Sequence, residues 1–308
     1  MRNLIICIAV VVVAILGSNV FAGEWTTPVS VTVINTTDQE EWSPFLSNDK
    51  LKLYFARYDG SSSEIYAVNR SSTSDPFTSE TQVLQSSAGK VYSPWVSSDN
   101  LRLYYTQEYY SGGTRWGIKC SQRASVNDSW AEGTWESELN ISSWVSFPTM
   151  TADELTIMFN ASMSSPGNTT YDLYMATRAD KNSPFSNIGK VTELNSGFND
   201  TTPSIALSAD GLTVVFSSNR GNHINYSLYT ATRQSLSNPF ENIEKLSLFD
   251  VPGGNATHPC LSADGKELYY VQGTGSGLAD IYVSYNVPEP ATIVLLGIGG
   301  ILLRKLKR

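Results

Sequence analysis

The stretch Thr202-Pro203-Ser204-Ile205-Ala206-Leu207-Ser208-Ala209-Asp210-Gly211-Leu212-Thr213-Val214-Val215-Phe216-Ser217-Ser218-Asn219-Arg220-Gly221 decides the fold. A short apolar run enters Ser-Ala-Asp-Gly, where Asp can bond its own backbone and Gly accepts positive φ. A β-branched and aromatic run leaves it, so the stretch reads as two strands joined by a tight turn. A third strand follows at Tyr226-Ser227-Leu228-Tyr229-Thr230-Ala231, and the unit runs on to Arg233 and Asn238-Pro239-Phe240.

The same grammar recurs four more times. Ser43-Pro44-Phe45 leads to Asp49, Ser93-Pro94-Trp95 to Asp99, Phe147-Pro148-Thr149 to Asp153, and His258-Pro259-Cys260 to Asp264. The turn aspartates 49, 99, 153, 210 and 264 are spaced 50, 54, 57 and 54 apart. Such a period marks a repeat architecture. Each copy reads as a four-stranded antiparallel sheet, with a shorter fourth strand such as Thr81-Gln82-Val83-Leu84. Strands two and three carry large residues on both faces, and sheets stacked around an axis cover both. The predicted fold is all-β: a single five-bladed propeller, with six blades as the alternative if a copy is hidden. The fifth copy stops after its third strand at Tyr285-Asn286, whereas residues 24–32 look like the end of a unit. The N-terminal segment is therefore predicted to complete blade five, closing the ring and removing two open edges.

The two ends carry addresses. Residues 1–22 have a positive start, an apolar run and small residues before Ala22, so signal-peptidase cleavage after Ala22 is expected. Residues 23–286 form the propeller, and 287–308 form a tail of Val287-Pro288-Glu289-Pro290, an apolar stretch over 293–303 and the cluster Arg304-Lys305-Leu306-Lys307-Arg308. That order of parts resembles the PEP-CTERM sorting signal, with Pro288, Glu289 and Pro290 as its box. The resemblance implies export in a Gram-negative-type bacterium, a sorting protease of the exosortase type as partner, and a place in the cell envelope, on the surface or in the extracellular matrix. The apolar stretch is short for a full span. Transient membrane insertion through this tail, as a transmembrane helix, is nonetheless expected.

The repeats themselves resemble WD40-like (PD40-type) propeller repeats, as in the periplasmic Tol-system propeller. The matching elements are Leu-Ser-Ala-Asp-Gly, then Phe216-Ser217-Ser218-Asn219-Arg220-Gly221, and Asp280-Ile281-Tyr282-Val283. Copies two and three lack the Asn-Arg-Gly part, so the resemblance implies the fold and transfers no binding site.

Charge narrows the partners. The chain holds 21 Lys+Arg and 29 Asp+Glu. Residues 1–22 and 287–308 carry five of the basic and one of the acidic residues, so the body has a net charge of −12. A body this acidic does not suit a nucleic-acid partner. Cys120 and Cys260 sit in strand-like segments, so one disulfide and two buried free thiols are both open readings. Asn-x-Ser/Thr occurs nine times, Asn35 and Asn140 among them, and abundant Ser, Thr and Asn account for it.

The mouth of the propeller is the place to look for function. Loops joining outer to inner strands, and strands two to three, open on one face and bring Glu41, Trp42, Arg57, Asp59, Tyr92, Glu108, Trp144, Asn160, Asp200 and Arg220 there. Aromatic platforms beside carboxylates and amides suit saccharides. The opposing reading is that the aromatics pack between blades and the acids form a solvated rim. No nucleophile elbow, metal-ligand motif, P-loop or dinucleotide fingerprint is present, and no cofactor or metal is expected. The sequence therefore favours a non-catalytic glycan- or protein-binding module with surface polysaccharide or an envelope protein as partner. A glycoside hydrolase-like enzyme using mouth carboxylates, and a purely structural envelope component, are the alternatives.

Overall fold

The computed structural model describes residues 24–162, 171–196, 204–221, 224–274 and 278–287. Its strands form five antiparallel sheets. Blade one contains β3 (Glu40–Leu46), β4 (Lys52–Tyr58), β5 (Ser63–Asn69) and β6 (Thr78–Leu84). Blade two has β7 (Val91–Val96), β8 (Arg102–Tyr110), β9 (Thr114–Gln122) and the two-residue β10 (Thr134–Trp135). Blade three has β11 (Val145–Met150), β12 (Thr156–Ser162), β13 (Tyr171–Thr177) and β14 (Ser186–Lys190). Blade four has β15 (Ile205–Leu207), β16 (Thr213–Ser218), β17 (Ser227–Thr232) and β18 (Glu241–Lys245).

Blade five closes the ring. Its chain-terminal strands β19 (Gly254–Leu261), β20 (Glu267–Thr274) and β21 (Asp280–Val287) are completed by β1 (Glu24–Trp25) and β2 (Val29–Ser30), both paired with β21. The predicted five blades and N-terminal closure are what the sheets display, with the closing strand split in two.

The turn that defines the repeat is one device made five times. Ser47, Ser97, Thr151, Ser208 and Ser262 donate their hydroxyls to Asp49, Asp99, Asp153, Asp210 and Asp264 at 2.5–2.7 Å. The same aspartate oxygen accepts the N–H two residues on. The residue after each Asp then takes positive φ: Lys50, Asn100, Glu154, Gly211 and Gly265. Only two of these are glycine, so the clasp holds the left-handed turn even where a side chain strains it.

A second repeated device ends the third strand. Arg70, Arg123, Arg178 and Arg233 each donate Nε to the carbonyl of that positive-φ residue, at 2.6–2.8 Å. Each guanidinium also covers a ring of the following loop, Phe77, Trp130, Phe185 or Phe240, at 4.1–4.5 Å. In blade five Asn286 stands at the arginine's place and keeps only the backbone bond of the series, its N–H donating to the Lys266 carbonyl at 2.8 Å as the Arg70 N–H does to Leu51. Three of the abundant asparagines also have a structural use. The side-chain amides of Asn35, Asn140 and Asn195 bond both the N–H and the C=O of Ile281, Ile118 and Leu173, standing in for a strand residue along β21, β9 and β13.

Five apolar clusters lie in the seams between neighbouring blades. Leu53 and Phe55 meet Tyr269 and Val271 between blades one and five, and Val214 and Phe216 meet Met158 and Leu173 between blades four and three. Each fully buried Leu, Val or Phe contributes about 1.5–3 kcal/mol, so stability is distributed around the ring. Cys120 and Cys260 are buried free thiols in different seams, which excludes the disulfide reading.

The expected transmembrane helix, with transient membrane insertion through the tail, requires correction. Among the described residues no helix is long and apolar enough to cross a membrane, and the one helical element is the single 3-10 turn Ser247–Phe249. The apolar stretch 293–303 has eleven residues where a span needs about 20, so its length also fails the requirement. Ala22 and the Pro288-Glu289-Pro290 box lie outside the described residues.

Candidate functional site: an aromatic bowl at the mouth

The bowl begins with a proline in the inner strands. Ser43, Ser93, Phe147 and His258 each precede Pro and each has φ of 52–58°. The ladder to the second strand slips at these same positions, between Trp42 and Phe45, Tyr92 and Trp95, Ser146 and Thr149, and Thr257 and Cys260. A bulge of this kind re-aims side chains. The four residues border both a narrow axial channel of about 60 Å³ and a wide cavity of about 520 Å³, forming the floor between them.

The walls of the wide cavity are aromatic. Trp42, Tyr58, Tyr92, Trp116, Phe147, Tyr171 and Tyr226 line it, drawn from four blades and their loops. Trp42 stacks on Tyr58 at 5.6 Å, on Tyr92 at 6.2 Å and on His258 at 6.2 Å, and Phe147 meets His258 edge-on at 5.3 Å. These rings hold one another in offset and edge-to-face geometries, which gives the bowl rigid apolar faces.

Polar groups are few and differ in commitment. Lys90 and Glu108 lie on the blade two wall, where the Glu108 N–H bonds the Lys90 carbonyl at 2.7 Å. The Lys90 ammonium sits 4.8 Å over the Tyr58 ring. Glu108 is the one carboxylate among the described lining residues. His258 is half-buried against Trp42 and Phe147, and desolvation pulls its imidazole down to about 3, so it is neutral at physiological pH. Burial, then the Glu108 charge, raises the Tyr92 hydroxyl. No group of three or more His, Cys, Asp or Glu is gathered for a metal among the described residues.

Of the ten mouth residues read from the sequence, Trp42, Tyr92 and Glu108 meet in the bowl. Glu41 and Arg57 are turned inward as a pair: Arg57 Nε donates to Glu41 at 2.9 Å, the same guanidinium reaches Glu80, and Glu41 has no exposed surface. Burial raises the Glu41 carboxyl against the lowering bonds from Thr36 and Arg57. Asp59 clasps its own turn, accepting from the N–H groups of Ser62 and Ser61, and these bonds hold its carboxyl low. Trp144 packs edge-on against Trp116 at 5.2 Å. Asn160 is buried on β12, and Arg220 bonds Ser218 and the Leu194 carbonyl while covering Phe216 and Tyr229. Asp200 lies outside the described residues.

Sequence reasoning passed over Tyr58, Lys90, Trp116, Phe147, Tyr171, Tyr226 and His258. A signal for the floor was present: the X-Pro pair recurs five residues before the turn aspartate in four of the five repeats, and a proline mid-strand marks a bulge.

Fold and site together define a class: five-bladed propellers with an open aromatic bowl at the mouth. No protein-family model matches the chain, and no curated protein matches it. Solved structures share its fold. A putative TolB from Agrobacterium tumefaciens superposes with a TM-score of 0.50 at 13% identity, covering 84% of this chain and 83% of that one. A family 117 glycoside hydrolase from Zobellia galactanivorans gives 0.57 at 12% identity, covering 87% and 91%. An α-L-arabinofuranosidase from Podospora anserina, solved in complex with cellotriose, gives 0.54 at 11% identity, covering 87% and 98%.

Proposed function

We propose that this protein is an exported carbohydrate-active propeller that takes a saccharide chain into the aromatic bowl. The observation that carries the reading is the bowl itself: about 520 Å³ of open space walled by seven aromatic rings, with a few polar groups among them. Flat apolar sugar faces stack on such rings, and hydroxyls bond groups such as Glu108 and Lys90. An open bowl supports a ligand-taking role over a purely structural one. The glycoside-hydrolase neighbours support the hydrolase alternative over a bare binding module, and Glu108 is the carboxylate in position to serve it.

The test is titration calorimetry with cellotriose, arabinotriose, galactotriose and trigalacturonate, alongside reducing-end release from each. Trp42→Ala should weaken binding of the accepted sugar by about tenfold or more, as for a central aromatic anchor. Reducing ends that appear with the unmodified protein and vanish with Glu108→Gln would make it a hydrolase. Binding without release would make it a lectin-like module. Failure of all four sugars to bind or turn over would reject the saccharide reading.

A further inference from the structure

The β8–β9 hairpin of blade two outgrows its counterparts. Both of its strands have nine residues, whereas the second strands of the other blades have six to eight. The extra length carries the pair beyond Glu108 and Trp116, which stand opposite each other and line the bowl. Tyr110 ends β8 opposite Thr114 and is 81% exposed. Residues two apart on a strand share a face, so Tyr110 continues the bowl-lining row of Thr106 and Glu108, about 7 Å further out.

The hairpin beneath this ring is braced. On its opposite face Tyr109 packs on Trp135 with centroids 4.8 Å apart. Arg115 donates Nε to the Ser111 carbonyl at 2.9 Å and also bonds the Ser143 hydroxyl, which ties the tip to the chain entering blade three. A ring presented on a rigid element loses little freedom when a ligand stacks on it. Ser111, Gly112 and Thr114 around it are exposed and offer little apolar area. A protein partner covers about 800 Å² on each side, which a single ring does not supply, whereas one sugar face matches one ring. We propose that Tyr110 is an outer stacking subsite, and that the bowl's ligand is a polysaccharide chain that runs out over blade two. The proposal rests on the saccharide reading of the bowl. A mono- or disaccharide held at Trp42 would leave Tyr110 without a role, whereas a longer chain continues from Glu108 to the next ring in the same row.

The test is calorimetric titration of the full chain with cello-, arabino-, galacto- and galacturono-oligosaccharides of two, three and six units. In the accepted series, Tyr110→Ala should weaken binding of the six-unit chain about tenfold and leave the two-unit chain unchanged. Tyr110→Phe keeps the ring and should bind every length as the unmodified protein does. Trp42→Ala should weaken all lengths alike, and Tm should be the same for the unmodified protein and both Tyr110 variants, since an exposed side chain contributes little to stability. Equal affinity of Tyr110→Ala and the unmodified protein for the six-unit chain overturns the outer subsite while leaving the bowl in place. A loss that is the same at two and six units, or that comes with a lowered Tm, also overturns it, since Tyr110 would then act by shaping the hairpin. A loss in Tyr110→Phe as large as in Tyr110→Ala rejects stacking. If the unmodified protein binds none of the four series at any length, the bowl reading falls and the outer subsite falls with it.

Discussion

Trp42 and His258 stack with ring centroids 6.2 Å apart and planes 18° from parallel, although one belongs to the first blade and the other to the last. The contact exists only in a closed ring. Closure and bowl are therefore one event, because the Trp42 platform is supported from behind by the blade that the N-terminal strands complete.

Removing residues 24–33 strips β1 and β2 from β21, takes Val31 out of the seam between blades one and five, and removes Trp25 from the edge of Phe249. The expected outcome is one cooperative melting transition at lower temperature, with saccharide binding lost at 25 °C. Calorimetry that retains the original main transition and adds only a small early one would show that the end frays independently.

Acid should weaken the fold through His258. Its folded pKa of about 3 lies below the ordinary 6.5, so between these values the unfolded chain binds the extra proton. Stability then falls as pH drops from 6.5 toward 3, by at most about 1.4 kcal/mol per pH unit from this group. His258→Phe keeps a ring against Trp42 and Phe147 and cannot titrate. Its melting temperature should fall less than that of the unmodified protein between pH 7 and pH 4, and equal slopes would remove His258 from the account.

The seam between blades five and one is also held by charge. Glu267, 5% exposed, accepts from Lys50 at 3.1 Å, Arg70 at 3.4 Å and the Tyr269 hydroxyl at 3.0 Å. Arg70→Met leaves this buried carboxylate short of a cation and takes away the bond to the Lys50 carbonyl, costing about 3 kcal/mol. Lys245→Met breaks an exposed bridge to Asp250 and should cost less than about 1 kcal/mol. Urea unfolding of the two variants checks the contrast.

Burial pushes both the Cys120 and Cys260 thiols up to about 12. Neither should form thiolate at pH 8, so alkylation followed by peptide mapping should find both unmodified in the native protein and both labelled in denaturant. Labelling of Cys260 in the native state would mean that the axial channel, which it lines, admits the reagent.

The mouth residues divide according to how local their reasons are. Trp42 and Tyr92 were legible as mouth aromatics because each stands next to the X-Pro pair of its repeat, and repetition fixes their height along the axis. Glu41 stands beside Trp42 and faces the other way, into Arg57, since successive strand residues point to opposite faces. Alternation tells which residues share a face, but not which face meets the axis, and the bulge at each proline moves the count by a residue.

By itself, the sequence determined the number of blades, the clasped turn and the closing strand. These follow from local chemistry repeated five times: a hydroxyl three residues from the turn's left-handed position, an Asp between them, and an unfinished last sheet. The tertiary structure alone decided which other residues join Trp42, Tyr92 and Glu108 at the mouth. Lys90, Trp116, Tyr171 and Tyr226 are distant in sequence and share no motif, and they line one cavity because the ring brings the blades and their loops to a common axis. It also decided that Asn160 lies buried without partners, since burial depends on the blade packed against it and no pattern within its own strand records that neighbour.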